Sequence, residues 1–359
     1  MERDLTLHLG ERDVGEPSAD QLLVRVEWAG VCGSDLHVLR TGDWVTEWPA
    51  TLGHEVVGVV EASPGGSVPE GSRVVVDSRV PCGTCDICAV APQRCEQLGW
   101  FGEVCPGGFE GHVLVPSRGV AICPEGLEAS VAVLAEPLAV AMHAVGRAVA
   151  GWAAAGREAV GRAATGPAHA IVLGYGPIGA LVHLELSRRL PATTVSVVEP
   201  DRGRLQLAEA LGARPLEALG ARPLEALGAR PLEALGAGAR TVAAPGGRPD
   251  LVVDAAGYPG SLTDALGSCA PGGTVLVVAL AHQPVTVVPA GIVEHELTVA
   301  GSVGFSDELP AAVAALAADP DRYRPLVTEA VLLEEAPGRL RALLGSPSVG
   351  KVLIGPSWT

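Results

Sequence analysis

Ala170-Ile171-Val172-Leu173-Gly174-Tyr175-Gly176-Pro177-Ile178-Gly179 decides the fold of this chain. Four apolar residues read as a buried strand, and the Gly-x-Gly-x-x-Gly run turns that strand directly into a helix. The glycines permit a tight turn and close approach of the backbone to a pyrophosphate, while the helix N-terminus supplies partial positive charge. Glu199 closes the next strand about 25 residues on, where an acidic side chain accepts hydrogen bonds from adenosine ribose hydroxyls and repels a 2′-phosphate. Arg202 and Arg204 stand near enough to pull the other way. The pattern predicts NAD in preference to NADP, with cofactor contacts at Gly174, Gly176, Pro177, Ile178, Gly179, Glu199 and Arg204.

Outward from this turn, strand and helix signals alternate. Val195 to Glu199, a helix from about Asp201, Leu251 to Asp254, Pro259 to Ser268, Thr274 to Ala279 and Leu297 to Ala300 follow one another, the order of a doubly wound parallel sheet. Upstream the texture differs. Leu22, Val24, Val26 and Trp28 alternate with polar residues, Val56 to Glu61 and Arg73 to Val76 read as strands, and Ser63-Pro64-Gly65-Gly66 as a turn. Short strands with Gly and Pro punctuation up to about residue 125 predict a β-rich, barrel-like domain, and the whole is α/β. An Ala-rich helix near Leu309–Ala318 and a last strand Lys351 to Ile354 close the chain. The expected division is 1–136 completed by 306–359, with 137–305 between them.

Composition bounds the function. A formal charge of −16 argues against phosphate-backbone binding, which needs clustered Lys and Arg, so no nucleic acid partner is expected. Met1-Glu2-Arg3-Asp4 lacks the apolar core of a signal peptide, and the longest apolar tracts are broken by Glu136-Pro137 or by Gly174, Gly176 and Pro177. No membrane span and a cytoplasmic protein are the expectation. Lys351 is the only lysine, which reads as coding bias in a GC-rich genome. Two repeats stand apart: Ala144-Val145-Gly146-Arg147-Ala148 recurs at Ala159–Ala163, and Ala-Arg-Pro-Leu-Glu-Ala-Leu-Gly runs three times from Ala213 to Gly236. Pro215, Pro223 and Pro231 would break a continuous helix, so short helical turns are expected there, far from the cofactor.

Two sets of residues carry metal chemistry. Cys82, Cys85, Cys88 and Cys95 offer four thiolates on one short loop, which suits tetrahedral structural zinc. Cys32 in Gly30-Val31-Cys32-Gly33-Ser34-Asp35-Leu36-His37, His54 and Glu55 in Leu52-Gly53-His54-Glu55, and Glu136 in Ala135-Glu136-Pro137 are a thiol, an imidazole and two carboxylates. A borderline-soft divalent metal accepts all three types, and a catalytic site needs only three protein ligands with an open position. A Lewis acid and a hydride carrier in one chain point to redox chemistry on an alcohol or ketone.

Over nearly its whole length the chain resembles the zinc-dependent medium-chain dehydrogenases/reductases of the alcohol dehydrogenase superfamily, near the sorbitol (polyol) and threonine dehydrogenase branch. The matching motifs are Val31–His37, Gly53-His54-Glu55-Val56-Val57-Gly58, the four-cysteine lobe, Gly107-Gly108-Phe109, Ala135-Glu136-Pro137-Leu138-Ala139 and the glycine fingerprint. The resemblance implies a GroES-like catalytic domain and a Rossmann coenzyme domain, with the substrate in the cleft separating them. It implies catalytic zinc on Cys32, His54 and either Glu55 or Glu136, with Asp35 orienting His54. It further implies that Ser34 passes the released proton, by way of the cofactor ribose, to His37 and on to solvent. The gap from Cys88 to Cys95 is one residue shorter than the family's usual spacing, which makes Cys95 the departure to watch.

The expected activity is hydride transfer between NAD and a secondary alcohol, as in a polyol, sugar, cyclitol or aminocyclitol. Two other readings stand beside it: a metal-independent or redox-neutral reductase, and a non-catalytic nucleotide-binding protein. Cys32, His54, Glu55 and Glu136 weigh against the first, Ser34 and Asp35 against the second. The substrate pocket is expected to draw on Trp44, Trp48, Trp100, Phe101 and the loop near Phe305, with Trp44 and Trp48 read as hydrophobic cover somewhat ahead of a platform for a sugar ring, and a homodimer or homotetramer is expected by analogy.

Overall fold

A computed structural model describes residues 1–154, 169–216 and 247–356. The second copy of the Ala-Val-Gly-Arg-Ala repeat and most of the octapeptide array lie outside the described residues. The chain divides by internal contacts into Met1–Ala139 with Phe305–Thr359, and Val140–Gly304.

In the first unit the strands are β1 (Gln21–Gly30), β2 (Glu55–Ala62), β3 (Arg73–Val76), β4 (Arg79–Val80), β5 (Gly99–Trp100), β6 (His112–Pro116) and β7 (Val120–Ile122). In the second they are β8 (His169–Leu173), β9 (Thr194–Val198), β10 (Arg214–Pro215), β11 (Leu251–Asp254), β12 (Thr274–Val277) and β13 (Thr298–Gly301). β14 (Val327–Leu332) and β15 (Lys351–Gly355) return to the first sheet. That sheet has seven strands in the order β14-β15-β1-β2-β3-β7, with β6 also on β1. The alternation read at Leu22, Val24 and Val26 is the inward face of β1: these three are fully buried, and they pack with Val56, Val60, Val74, Val113 and Val115. A strand so patterned has only one register that hides its valines, which is why β1 can serve as the spine for three neighbours.

The second unit holds a six-stranded sheet in the order β10-β9-β8-β11-β12-β13, every pair parallel. Read from the first strand outward this is 3-2-1-4-5-6, and the order reverses beside β8, whose C-terminal end is Leu173. Both faces of such a sheet are covered, so its central strands are near-continuous apolar runs: Ala170 to Leu173 and Leu251 to Val253 are all buried.

The helices in chain order are α1 (Gly33–Thr41), α2 (Ala129–Ala132), α3 (Ala135–Ala154), α4 (Pro177–Arg189), α5 (Arg202–Ala210), α6 (Ser261–Ser268), α7 (Pro289–Glu294), α8 (Leu309–Ala318), α9 (Pro320–Tyr323) and α10 (Ala336–Gly345). One expectation is corrected. Glu136-Pro137 does not interrupt the apolar run, because it falls in the first turn of α3, where a missing N–H costs nothing. Ala129–Ala150 is therefore long and apolar enough, by length and composition, to cross a bilayer. Its most apolar stretch is 72% buried within the protein, with Val131, Leu134, Leu138, Ala141 and Val145 fully so, as befits a core segment.

Candidate functional site

The site is assembled where β1 ends. Gly30 pairs with Glu55 across β1 and β2, and Ala29 pairs with Ile354 of β15, so three strands converge on one edge. Val31 N donates to Val352 O at 2.9 Å, and the chain then turns through Cys32 into α1. Asp35, buried in the first turn of α1, accepts from Cys32 N at 2.8 Å through Oδ2 and from Gly53 N at 3.2 Å through Oδ1. Its Oδ1 also stands 3.7 Å from His54 Nδ1. One carboxylate thus ties together the two segments that carry the thiol and the imidazole.

Donor atoms of Cys32, His54 and Glu55 all lie within 4.8 Å of one another. Glu55 is wholly buried. Its Oε1 accepts from Lys351 Nζ at 2.6 Å, and the same ammonium donates to Val31 O at 3.0 Å. Its Oε2 has no hydrogen-bond partner. A Cβ at Gly30 would stand 2.1 Å from that oxygen, so only glycine there lets the carboxylate lie across the strand. A buried carboxylate oxygen left without a donor costs several kcal/mol in principle, and a cation is the partner that removes the cost. Burial opposes charge on His54, yet Asp35 and Cys32 beside it hold the imidazole well above its usual range. The proton held there occupies the place of a positive charge, and a metal would displace it.

Glu136, expected as a possible ligand, is placed differently. It lies outside the converging group, and its Oε1 accepts from Ser78 Oγ at 2.7 Å. Burial pushes its carboxyl up to about 7; His54 opposes the shift and Glu55 adds to it. Ser34 and His37 sit at i and i+3 on α1, on one face of the helix. The His37 ring packs against Trp44 at 4.5 Å between centroids, and its Nε2 lies 3.1 Å from Asp43 Oδ2.

The four-cysteine lobe closes despite its short spacing. Sulfur atoms lie at 3.4 Å between Cys85 and Cys88, 3.8 Å between Cys82 and Cys88, and 4.0 Å between Cys85 and Cys95. A tetrahedron with a metal–sulfur bond of about 2.3 Å has edges of about 3.8 Å, so the cage has the size of a zinc tetrathiolate. A turn of 3₁₀ helix at Pro92–Arg94 takes up the missing residue and delivers Cys95, whose sulfur accepts from Cys82 N at 3.4 Å and Gln97 N at 3.3 Å. Hydrogen bonds centred on Thr84 lower the Cys82 thiol to about 6, while burial and Cys85 raise Cys88 to about 12. All eight cysteines of the chain are free.

In the second unit Gly174 has φ +86°, Gly176 caps α4 and Pro177 opens it. A Cβ at Gly179 would stand 2.1 Å from Gly174 O, so strand and helix meet backbone to backbone. Glu199 accepts from Tyr175 N at 2.7 Å and from Asp201 N at 2.9 Å, and Arg204 Nη1 lies 3.8 Å from it. Tyr175 turns inward, its hydroxyl 2.9 Å from His183 Nδ1.

Two members of the site were not singled out for it from sequence: Lys351 and Ser78. The signal for Lys351 was available. A chain with 25 Lys and Arg that uses arginine everywhere else keeps one lysine, and it is 1% exposed against Glu55. An ammonium fits a single-point contact in a tight site where the planar guanidinium fork does not. Ser78 carried no signal.

Two family profiles match: the alcohol dehydrogenase GroES-like domain over residues 18–125, and the zinc-binding dehydrogenase over 177–318. The chain is similar to D-altritol 5-dehydrogenase of Agrobacterium fabrum, 31% identical over 91% of this chain and 90% of the relative. It is also similar to sorbitol dehydrogenase of Bacillus subtilis, 29% identical over 94% and 91% of the two chains. Among solved structures it resembles the short chain alcohol dehydrogenase (rspB) of Escherichia coli CFT073 complexed with NADH, with TM-score 0.80 and 26% identity over 99% and 97%. With two such domains in order, a thiol–imidazole–carboxylate cluster and polyol-named relatives, the chain belongs to the zinc-type medium-chain dehydrogenases, in their polyol branch.

Proposed function

We propose that the protein oxidises a secondary alcohol of a polyol, sugar or cyclitol with NAD, and reduces the corresponding ketone, using zinc held by Cys32, His54 and Glu55. The observation that carries this reading is the buried Glu55 Oε2 without a donor, within reach of Cys32 and His54. Between the two carboxylates left open by the sequence, Glu55 is the ligand, since Glu136 lies outside the group and is engaged by Ser78. Zinc held there would supply the Lewis acidity that lowers an alcohol's pKa toward neutrality, and NAD would supply the hydride acceptor.

The chain's own residues do the rest. Asp35 faces His54 Nδ1 and so leaves Nε2 for the metal. Lys351 neutralises Glu55 in a site where a bare carboxylate could not be buried. Ser34 relays the alcohol proton, giving up its own hydroxyl proton as it accepts, toward His37, which lies one helical turn along beside Asp43 and releases a proton to solvent. The four-cysteine cage holds a second, structural zinc, which suits a reducing cytoplasm. Gly174, Gly176, Pro177, Ile178 and Gly179 seat the pyrophosphate, and Glu199 favours NAD against the attraction of Arg204 for a 2′-phosphate. β13 is the outer strand of its sheet, with Val299 exposed and Val293 and Val303 exposed nearby, and it is the edge offered to a second copy in a homo-oligomer.

Elemental analysis combined with NAD reduction across a polyol and cyclitol panel tests this. Two zinc ions per chain are expected, with Cys32→Ser losing one ion and all turnover while circular dichroism is unchanged. One zinc that persists in Cys32→Ser, with no alcohol oxidised by the parent protein, overturns the reading.

A further inference from the structure

The turn Trp100–Glu103 carries a carboxyl that the chemistry above does not use. Glu103 N and Val104 N both donate to Trp100 O at 3.1 Å, and Gly102 takes φ +82° at the third position, as a type II turn requires. A Cβ on Gly102 would stand 2.9 Å from Gly53 N and 3.1 Å from Leu52 Cα, so the turn lies flush on the two residues that precede His54. From the other side Thr46 N donates to Glu103 O at 3.0 Å. Glu103 is therefore clamped between the segment after α1 and the segment that delivers the imidazole, and its position is fixed by backbone alone.

Its side chain has a different character. The carboxyl is half-buried and makes no hydrogen bond or ion pair among the described residues. It lies outside the group of converging donor atoms, yet within Coulombic reach of both His54 and Asp35. Burial pushes it up to about 7, with Asp35 adding to the shift and His54 opposing it. An acceptor carried on a backbone fixed against the segment that delivers the imidazole, and engaged by no other side chain, can bond a donor that a ligand supplies.

We infer that Glu103 is a specificity residue that accepts a hydrogen bond from a second donor group of the substrate, a hydroxyl or an ammonium, borne on a carbon close to the carbinol that is oxidised. The inference rests on the proposed alcohol oxidation and adds to it the group that separates a polyol or amino-polyol from a simple alcohol. A mono-alcohol brings no donor for the carboxyl, and sites built to bond a substrate hydroxyl reject analogues lacking it.

The probes are 2-butanol, 2,3-butanediol and 3-amino-2-butanol, which share one carbon skeleton. kcat/KM and, on zinc-loaded protein, calorimetric Kd are measured for the parent, Glu103→Gln and Glu103→Leu. The parent prefers the two bifunctional alcohols by roughly 100-fold, and Glu103→Leu brings all three within about threefold. Glu103→Gln separates the sources: it keeps about a tenth of the preference for the diol if a hydroxyl is recognised, and loses the amino alcohol far more strongly if an ammonium is. Either pattern supports the inference. An undiminished preference in Glu103→Leu overturns it, as does an equal loss on all three probes, or a Tm at pH 8 well below the parent's, which would make the carboxyl structural. If the parent turns over no alcohol yet binds the bifunctional probes in a Glu103-dependent way, recognition stands and the proposed oxidation falls.

Discussion

The first unit contains two metal-sized clusters built on opposite plans. The cage of Cys82, Cys85, Cys88 and Cys95 is local, made of one donor type, and mostly half-exposed. The Cys32, His54 and Glu55 cluster mixes three donor types, is largely buried, and depends on Lys351, which lies 296 residues from Glu55 in sequence. Four like thiols complete a tetrahedron and leave nothing over, which is what a structural site requires. Three unlike donors with one orphan oxygen and a charge-balancing lysine leave a coordination position open and a field to be tuned, which is what a catalytic site requires. The difference predicts that a bound metal would hold the cage, whereas hydrogen bonds of the fold hold the buried cluster.

Lys351→Met breaks that second half of the comparison most severely. It leaves Glu55 buried and uncompensated, and loss of one partner of such a pair costs about 3–5 kcal/mol. The expected result in metal-free protein is an unfolding free energy from urea titration lowered by that amount, with Lys351→Met/Glu55→Gln recovering most of it. If the single variant loses less than about 1 kcal/mol, the pair does not carry the site.

The comparison also explains what the sequence disclosed. The cage was legible because spacing alone brings thiols together within 14 positions, Cys82 to Cys95, and the shortened gap needed only one 3₁₀ turn to close. The parallel sheet was legible because each strand is a short apolar run followed by a helix signal. The buried cluster was legible as a list of ligands and not as an arrangement. That Glu55 rather than Glu136 joins Cys32 and His54 depends on β1 pairing with β2 at Gly30 and on β15 bringing Lys351 across, and pairings so remote leave no local pattern. Glu103 was hidden for the same reason: its role comes from a turn packed on Leu52 and Gly53, which no spacing in the chain expresses.

Glu136 gives a second, smaller effect, of opposite sign to Lys351→Met. Its carboxyl titrates at about 7 in the fold, raised chiefly by burial, against an ordinary value of 4.5. The unfolded chain therefore ionises first, and the folded state carries no penalty below about pH 4.5, an increasing one as pH rises toward 7, and a constant one above. Glu136→Gln should stabilise metal-free protein at pH 8 by up to about 3 kcal/mol and leave it unchanged at pH 4, as chemical denaturation at the two pH values would show. A gain at pH 8 that zinc abolishes would show that the bound cation favours the ionised carboxylate, sharpening the view that this cluster is poised for a metal. A loss of stability at pH 8 would mean that the bond from Ser78 outweighs burial.

The smallest effect is the one that separates the two clusters most cleanly. Cys88→Ser removes one thiol from a cage whose donor atoms come from residues 82 to 95, and none of these is among the residues that hold Cys32, His54 or Glu55 in place. One zinc per chain should be lost. At 25 °C, kcat/KM for the best alcohol should change by less than about threefold, under 1 kcal/mol of barrier, while the temperature of half-inactivation falls. The same substitution logic applied at Cys32 removes turnover at every temperature. Should Cys88→Ser instead abolish activity at 25 °C with the remaining zinc still bound, the cage would be coupled to the chemistry. The route would then be short: three residues separate Cys95 from β5, which opens the Trp100–Glu103 turn, so a cage that loses its metal would release the segment lying against Leu52 and Gly53.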